Sequence, residues 1–340
     1  MGRRDYMGLL VLMIAAAVVP LFIDNDYHLG IFVFTALNCL ACIGLSLLMG
    51  YAGQISLGHA AFVALGAYLS AILTAHHGWS PWSAMAAGAA LSAAVAVLVG
   101  VPSLRLKGHY LAMATLGFGA IVHIVAVAAV ELTGGPEGVS GIPDLVLFGL
   151  TIDTDRRFFY FSWAAVILGL FLALNLIHSR IGRGLRAIHG SEDAAGAAGV
   201  HTARYKIEIF VISAVYASVS GSLYAYYVNY IDPGPFDVMH SVLLVTMVAV
   251  GGMHRVWGAI TGAVLLSLLP EFLSSLSHYF QMIGVEYTQD YDTLVYGTIL
   301  LLIMLFLPEG LFSGVGAVLR WLWDRVRGEA ADGGSRAHAA

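Results

Sequence analysis

The chain predicts an all-α polytopic membrane protein, and three observations carry that prediction. Apolar residues fill 59% of its 340 positions and charged residues only 11%, more apolar surface than a water-soluble domain can hide. The apolar residues run continuously over stretches of about 20 rather than alternating, which suits helices crossing a hydrocarbon core and not barrel strands. Lys and Arg concentrate in one alternate set of the connecting segments, as in proteins whose loops are sorted by the positive-inside rule.

The first apolar run, 7–23, follows Arg3 and Arg4 like a signal peptide. No small-x-small cleavage site follows it, and Asp24 and Asp26 come directly after, so it reads as an uncleaved first span. Further runs lie near 30–49, 57–75, 82–102, 109–130, 158–178, 207–229, 239–251, 258–276 and 293–312, ten segments in all. A charge at mid-membrane costs roughly 2.5–3.5 kcal/mol on insertion scales, so charges mark the loops. Ten crossings from a cytoplasmic N-terminus leave both termini inside. The inner segments then hold Arg3, Arg4, Arg105, Lys107, Arg180, Arg183, Arg186, Arg204, Lys206, Arg255, Arg320, Arg325, Arg327 and Arg336, and the outer ones only Arg156 and Arg157. Residues 1–328 form the membrane domain, with 179–206 as a cytoplasmic loop, and 329–340 a small, polar, disordered tail.

Two segments fit a plain crossing poorly. Residues 239–251 are short for a span, and Gly50–His59 is polar and glycine-rich between two apolar runs. Irregular backbone at membrane depth is tolerated where it is buried in protein or lines a wet cavity, and broken helices of this kind occur where transporters bind substrate. Gln54, Ser56 and His59, with Asn38 upstream, offer hydrogen bonds at depth without fixed charge, which suits the path of a polar solute; the competing reading is glue between helices. In the outer loop, Leu132–Pro143 is dense in Gly and Pro and predicts a tight folded turn. Cys39 and Cys42 sit inside an apolar run with no further ligands nearby and read as small packing residues, so no metal site is expected.

The longest polar interruption is Ser179–Lys206, which holds five of the sixteen Lys and Arg residues. Within it Ser191–Gly199 reads as a short helix: Ser191 suits the N-cap, Glu192 and Asp193 the positive end of the dipole, and Gly199 the stop. Enzyme signatures are missing, with no HExxH, no GxSxG and neither lysine in a GxxxxGK[ST] context. A transport subunit without catalysis or cofactor of its own is expected. Few ionisable residues fall within spans (His59, His123, Glu208, Glu271 and Glu309), which argues against an ion-driven carrier.

Three blocks carry a family resemblance. They are Gly50–Phe62 with Gly66-Ala67-Tyr68; Leu104–Phe118 leading to Leu132–Pro143; and Arg180–Ile188 with Glu192-Asp193-Ala194-Ala195 and Gly199. Together with Gly251-Gly252 and Trp257-Gly258 they resemble the permease subunit of branched-chain amino-acid ABC importers, of the LivM type. The resemblance implies that Glu192–Ala195 and Gly199 form the helix that docks on an ATPase, flanked by Arg183 and Arg186, although Asp193 stands where many such loops have Ala or Ile. It also implies a second permease (LivH type), ATPase subunits (LivG/LivF type) that bind the ATP, a periplasmic or lipid-anchored binding protein, and a bacterial inner-membrane location. On this resemblance the outer loop, with Thr133, Gly134 and Gly135, is a candidate contact for the binding protein or an outer gate, the alternative being a purely structural turn. Urea or short amides are the alternative cargo, and a stand-alone channel or ion-coupled carrier the alternative mechanism.

Overall fold

A computed structural model describes residues 2–23, 25–103, 106, 108–147, 149–282, 289–307, 310–312 and 314. Asp24, Arg105, Lys107, Glu309, Arg320, Arg325, Arg327, Arg336 and the tail 329–340 lie outside the described residues. Helices dominate: α1 (Arg3–Phe22), α2 (Asp26–Ser46), α3 (His59–Ala75), α4 (Pro81–Ser103), α5 (His109–Ala128), α6 (Val130–Thr133), α7 (Asp155–His178), α8 (Arg180–Gly190), α9 (Glu192–Ala197), α10 (Thr202–Val228), α11 (Val238–Gly251), α12 (Val256–Met282) and α13 (Gln289–Phe306). Among the described residues each of the ten apolar runs contains a helix. Seven of these are long and apolar enough to cross a membrane, and three apolar helices within the described residues are shorter, at His59–Ala75, Val238–Gly251 and Val295–Phe306.

Two antiparallel contacts set the polarity of the bundle. Arg156, at the start of α7, donates to the Pro20 carbonyl near the end of α1, and His178 at the end of α7 lies 3.4 Å from Asp5 at the start of α1. The Gly8 backbone of α1 abuts the Trp257 indole at the start of α12. The starts of α1 and α12 and the polar stretch after α7 therefore share one end, here the central-segment end. The opposite, loop end carries Tyr27 donating to Glu271 (2.9 Å) and Tyr227 donating to Asp155 (2.7 Å).

α10 is the spine, packed on α2, α3 and α4. It presents small residues to its neighbours, so backbones approach closely, as in helix pairs that associate without a hydrophobic driving force. Ser70 donates to Ser222 (2.8 Å), Ser222 to the Gly66 carbonyl (3.1 Å) and Ser220 to the Leu37 carbonyl (2.8 Å). The peripheral helices show the opposite character. Leu98 on α4 is 74% exposed and Met113 on α5 67%, with Ile121, Ile124 and Leu168 likewise bare. In water such faces would be costly at about 25 cal/mol per Å²; against lipid tails they carry no penalty. The chain is a multi-pass membrane protein.

The loop end carries four short strands, β1 (Val139–Ser140), β2 (Leu145–Leu147), β3 (Leu150–Ile152) and β4 (Tyr230–Ile231), paired antiparallel as β1–β4 and β2–β3. Asn229, in the left-handed region at φ 56°, donates from Nδ2 to the Ile142 carbonyl and Asp144. This ties the Gly/Pro-rich loop to the connection between α10 and α11.

Candidate functional site

The glycine-rich stretch is a break in the helical path. α2 loosens into a π-helical turn over Leu47–Tyr51, the backbone leaves helical geometry over 53–58, and α3 starts at His59. Burial alternates along the break, as in an extended strand. Gly53 and Ile55 face outward (Ile55 39% exposed), whereas Gln54, Ser56 and Gly58 are buried within the chain. Glycine is required where the break touches its neighbours. Gly53 has φ +67° with the His189 ring against it, and a Cβ at Gly58 would stand 2.3 Å from the Thr115 carbonyl oxygen.

Two N–H groups freed by the break find side-chain acceptors on other helices. The Leu57 N–H donates to Thr115 Oγ1 of α5 (3.0 Å) and the Ala60 N–H to Ser241 Oγ of α11 (2.9 Å). These bonds place the starts of α3 and α11 side by side. α11 ends at Gly251, next to the loop whose Met253 carbonyl abuts Gly50. Its first turn therefore lies about 15 Å in from the central-segment end by helical rise, about half the depth of a hydrocarbon core.

Within this junction Gln54 Oε1, Ser56 Oγ and His59 Nε2 are buried without a hydrogen-bond partner among the described residues. An unmet buried polar group costs about 1–3 kcal/mol, and native interiors keep few of them. Asn38 behaves differently, since its Nδ2 donates to Ser267 Oγ (3.1 Å) and links α2 to α12. Cys39 and Cys42 are buried and unlinked, with Cys42 Sγ 3.8 Å from the Leu244 carbonyl.

The polar central segment is more ordered than a loop with one helix. Ser179 caps α8, accepting from the Ile181 and Gly182 N–H groups, and α8 lays Leu185 and Ile188 on the body while Arg180, Arg183 and Arg186 stay exposed. The i, i+4, i+7 spacing of Ile181, Leu185 and Ile188 encodes this helix; the density of Arg and Gly masks it in the sequence. α9 follows at once. Ser191 Oγ accepts from the Ala194 N–H (3.3 Å). At the other end Gly199 takes φ +84°, its N–H donates to Gly196 and that of Val200 to Ala195, the paired bonds of a Schellman stop.

On α9, Ala195 is buried against the chain, whereas Asp193, Ala194 and Ala198 are exposed. Glu192 turns inward, with Oε2 2.6 Å from Lys206 Nζ on α10. Lys206 is buried, at 6% exposure, and its pairing had no sequence signal beyond two opposite charges fourteen positions apart.

In the outer loop Thr133 is buried and its hydroxyl donates to the Ala126 and Ala129 carbonyls (2.7 and 2.8 Å). Gly134 and Gly135 take φ +74° and +60°, and Gly135 is buried too. Neighbouring Leu132 and Glu137 carry the exposed surface. Among the described residues no three His, Cys, Asp or Glu side chains gather as a metal set.

The chain is a bundle of apolar helices with a break within the membrane depth and a capped helix at one end, the architecture of a multi-pass membrane protein. Residues 27–304 match the family model described as branched-chain amino acid transport system / permease component, and the chain belongs to that family. It is 30% identical to the high-affinity branched-chain amino acid transport system permease protein LivM of Salmonella typhimurium, over 96% of this chain and 80% of that protein. The ribose import permease protein RbsC of Escherichia coli is 27% identical over 83% and 89% respectively. The Escherichia coli permease protein LivH is 29% identical over 44% of this chain and 46% of its own length. No solved structure matches.

Proposed function

We propose that this chain is one half of the membrane pathway of an ABC importer that carries branched-chain amino acids across the bacterial inner membrane. In this reading the central-segment end faces the cytoplasm, both termini lie inside, and ATPase subunits that bind the ATP dock on α9. A homologous second permease completes the pathway, and a binding protein delivers substrate at the loop end. The observation that carries the reading is α9 itself. A six-residue helix closed at both ends by its own caps, on an amphipathic base, is a preformed knob for a partner's groove. The ribose relative shows that the family is broad, so the cargo is the finer part of this proposal.

The test is reconstitution. Proteoliposomes with both permeases and ATPases should import leucine only with ATP and binding protein, and the permeases alone should pass none. Full flux from the permeases alone would favour a channel or carrier instead, and urea or amide uptake in place of leucine would reassign the cargo.

Gln54, Ser56 and His59 are assigned to the pathway because their unmet polar atoms give a solute or water something to bond as the break opens. Gln54→Leu separates this from packing. Removing an unsatisfied buried amide should leave thermal stability equal or higher, whereas ATP-driven uptake should fall about tenfold, ~1.4 kcal/mol. Wild-type uptake would return Gln54 to a packing role.

A further inference from the structure

We infer that Glu192 acts inside the chain, as a strut to Lys206 that fixes the pose of α9, and that the docking surface presents its charge through the arginines of α8. This rests on the reading of α9 as the docking helix and assigns its acid a different task from the charge contact that the family resemblance suggests. The geometry is direct. Glu192 is the first residue of α9, and its carboxylate reaches Lys206 Nζ at 2.6 Å. The lysine side chain is only 8% exposed and the glutamate 30%. A shielded ammonium depends on its counter-charge, so the pair holds together more firmly than a surface bridge. Ala195, one turn further along α9, is buried in the same direction. α9 thus stands on the body through Glu192 and Ala195, and its opposite face is left for a partner.

Arg180, Arg183 and Arg186 are exposed and have no ion-pair partner among the described residues. Arg204 is paired with Glu208 at 2.7 Å. The exposed charge of α8 and α9 is therefore three arginines against the one carboxylate of Asp193, and a groove edged by carboxylates complements the basic excess. Lys206 lies in the first turns of α10, the spine of the bundle, so the strut also joins the docked helix to the element that contacts α2, α3 and α4. Lys206 is in this sense a positioning residue.

A charge swap tests the assignment in the full assembly of both permeases and ATPases. Glu192→Lys and Lys206→Glu should each cut ATP-coupled leucine uptake more than tenfold and reduce ATPase co-purification. The double variant should recover at least fivefold over either single change, and Lys206→Arg should stay near wild type. A contact with the partner has no reason to be rescued from Lys206, so a double variant as inactive as Glu192→Lys overturns the strut. If the swapped chain does not reach the membrane, Lys206→Met serves, since it removes the strut and leaves Glu192 free for a partner: lost ATPase co-purification with normal chain levels supports the strut, and wild-type co-purification overturns it. Failure of the wild-type chain to retain ATPases would instead overturn the docking reading beneath the proposal, and the wild-type arm shows it separately.

Discussion

Gly221→Val is expected to prevent the bundle from forming. A Cβ at Gly221 would lie 1.9 Å from the Val63 carbonyl oxygen, and one at Gly66, across the same crossing, 2.0 Å from the Ser218 carbonyl oxygen. These obstacles are backbone, so no rotamer change relieves them, and α3 and α10 must separate. Overpacking a well-filled core costs about 1–3 kcal/mol where side chains can yield; here the separation also breaks the Ser70–Ser222 and Ser222–Gly66 bonds, so the loss should exceed that range. The measurement is the monodisperse fraction after detergent extraction, with its melting temperature. Gly117→Val on α5, where a Cβ would meet nothing within 4 Å, is the matched control and should behave as wild type. Wild-type yield and melting temperature for Gly221→Val would show that the α3–α10 crossing is looser than described.

Ala194→Trp is expected to leave the chain folded and inserted yet abolish coupling. Ala194 is on the exposed side of α9, and a Trp there adds bulk only on the face that the proposed docking gives to the ATPase. Ala195→Trp, one position on, should instead unseat α9 from within, because Ala195 is buried at 3% exposure. ATPase co-purification and leucine uptake should fall at least tenfold in both variants, at least ~1.4 kcal/mol of association. Only Ala195→Trp should make the central segment more sensitive to limited proteolysis. Uptake by Ala194→Trp at the wild-type level would exclude the exposed face of α9 as the docking surface.

What the sequence disclosed follows from the range of the forces involved. Helix placement was legible because hydrocarbon imposes it locally: every apolar run yielded a helix among the described residues, and the non-helical path over 53–58 was visible as glycine and polar residues where apolar ones belong. The caps of α9 were legible for the same reason, since Ser191 and Gly199 act within three or four residues of themselves. α8 was missed, although Ile181, Leu185 and Ile188 mark its buried stripe, because arginines and glycines on the other faces made the segment look like a loop. Contacts distant in sequence left no trace. The Val139–Ile231 strand pairing, the Glu192–Lys206 bridge and the seating of Ala60 on Ser241 depend on how helices cross. The inward aim of Gln54 and Ser56 was likewise hidden, since residue types alone do not tell which side of an extended segment meets the body. Asn38 carried a polar signal that the fold uses between α2 and α12, and Thr133 one that it spends on capping its own turn.

The most direct test of the central claim is a single labelled position on α9. Cys39 and Cys42 are fully buried, so Ala198→Cys supplies the reactive thiol. A membrane-impermeant maleimide should label that thiol in inverted vesicles and not in right-side-out ones, and a short bifunctional reagent should join it to an ATPase subunit of the assembled importer. Labelling from the outer face, or an assembled importer in which position 198 cross-links to no other subunit, would contradict the account.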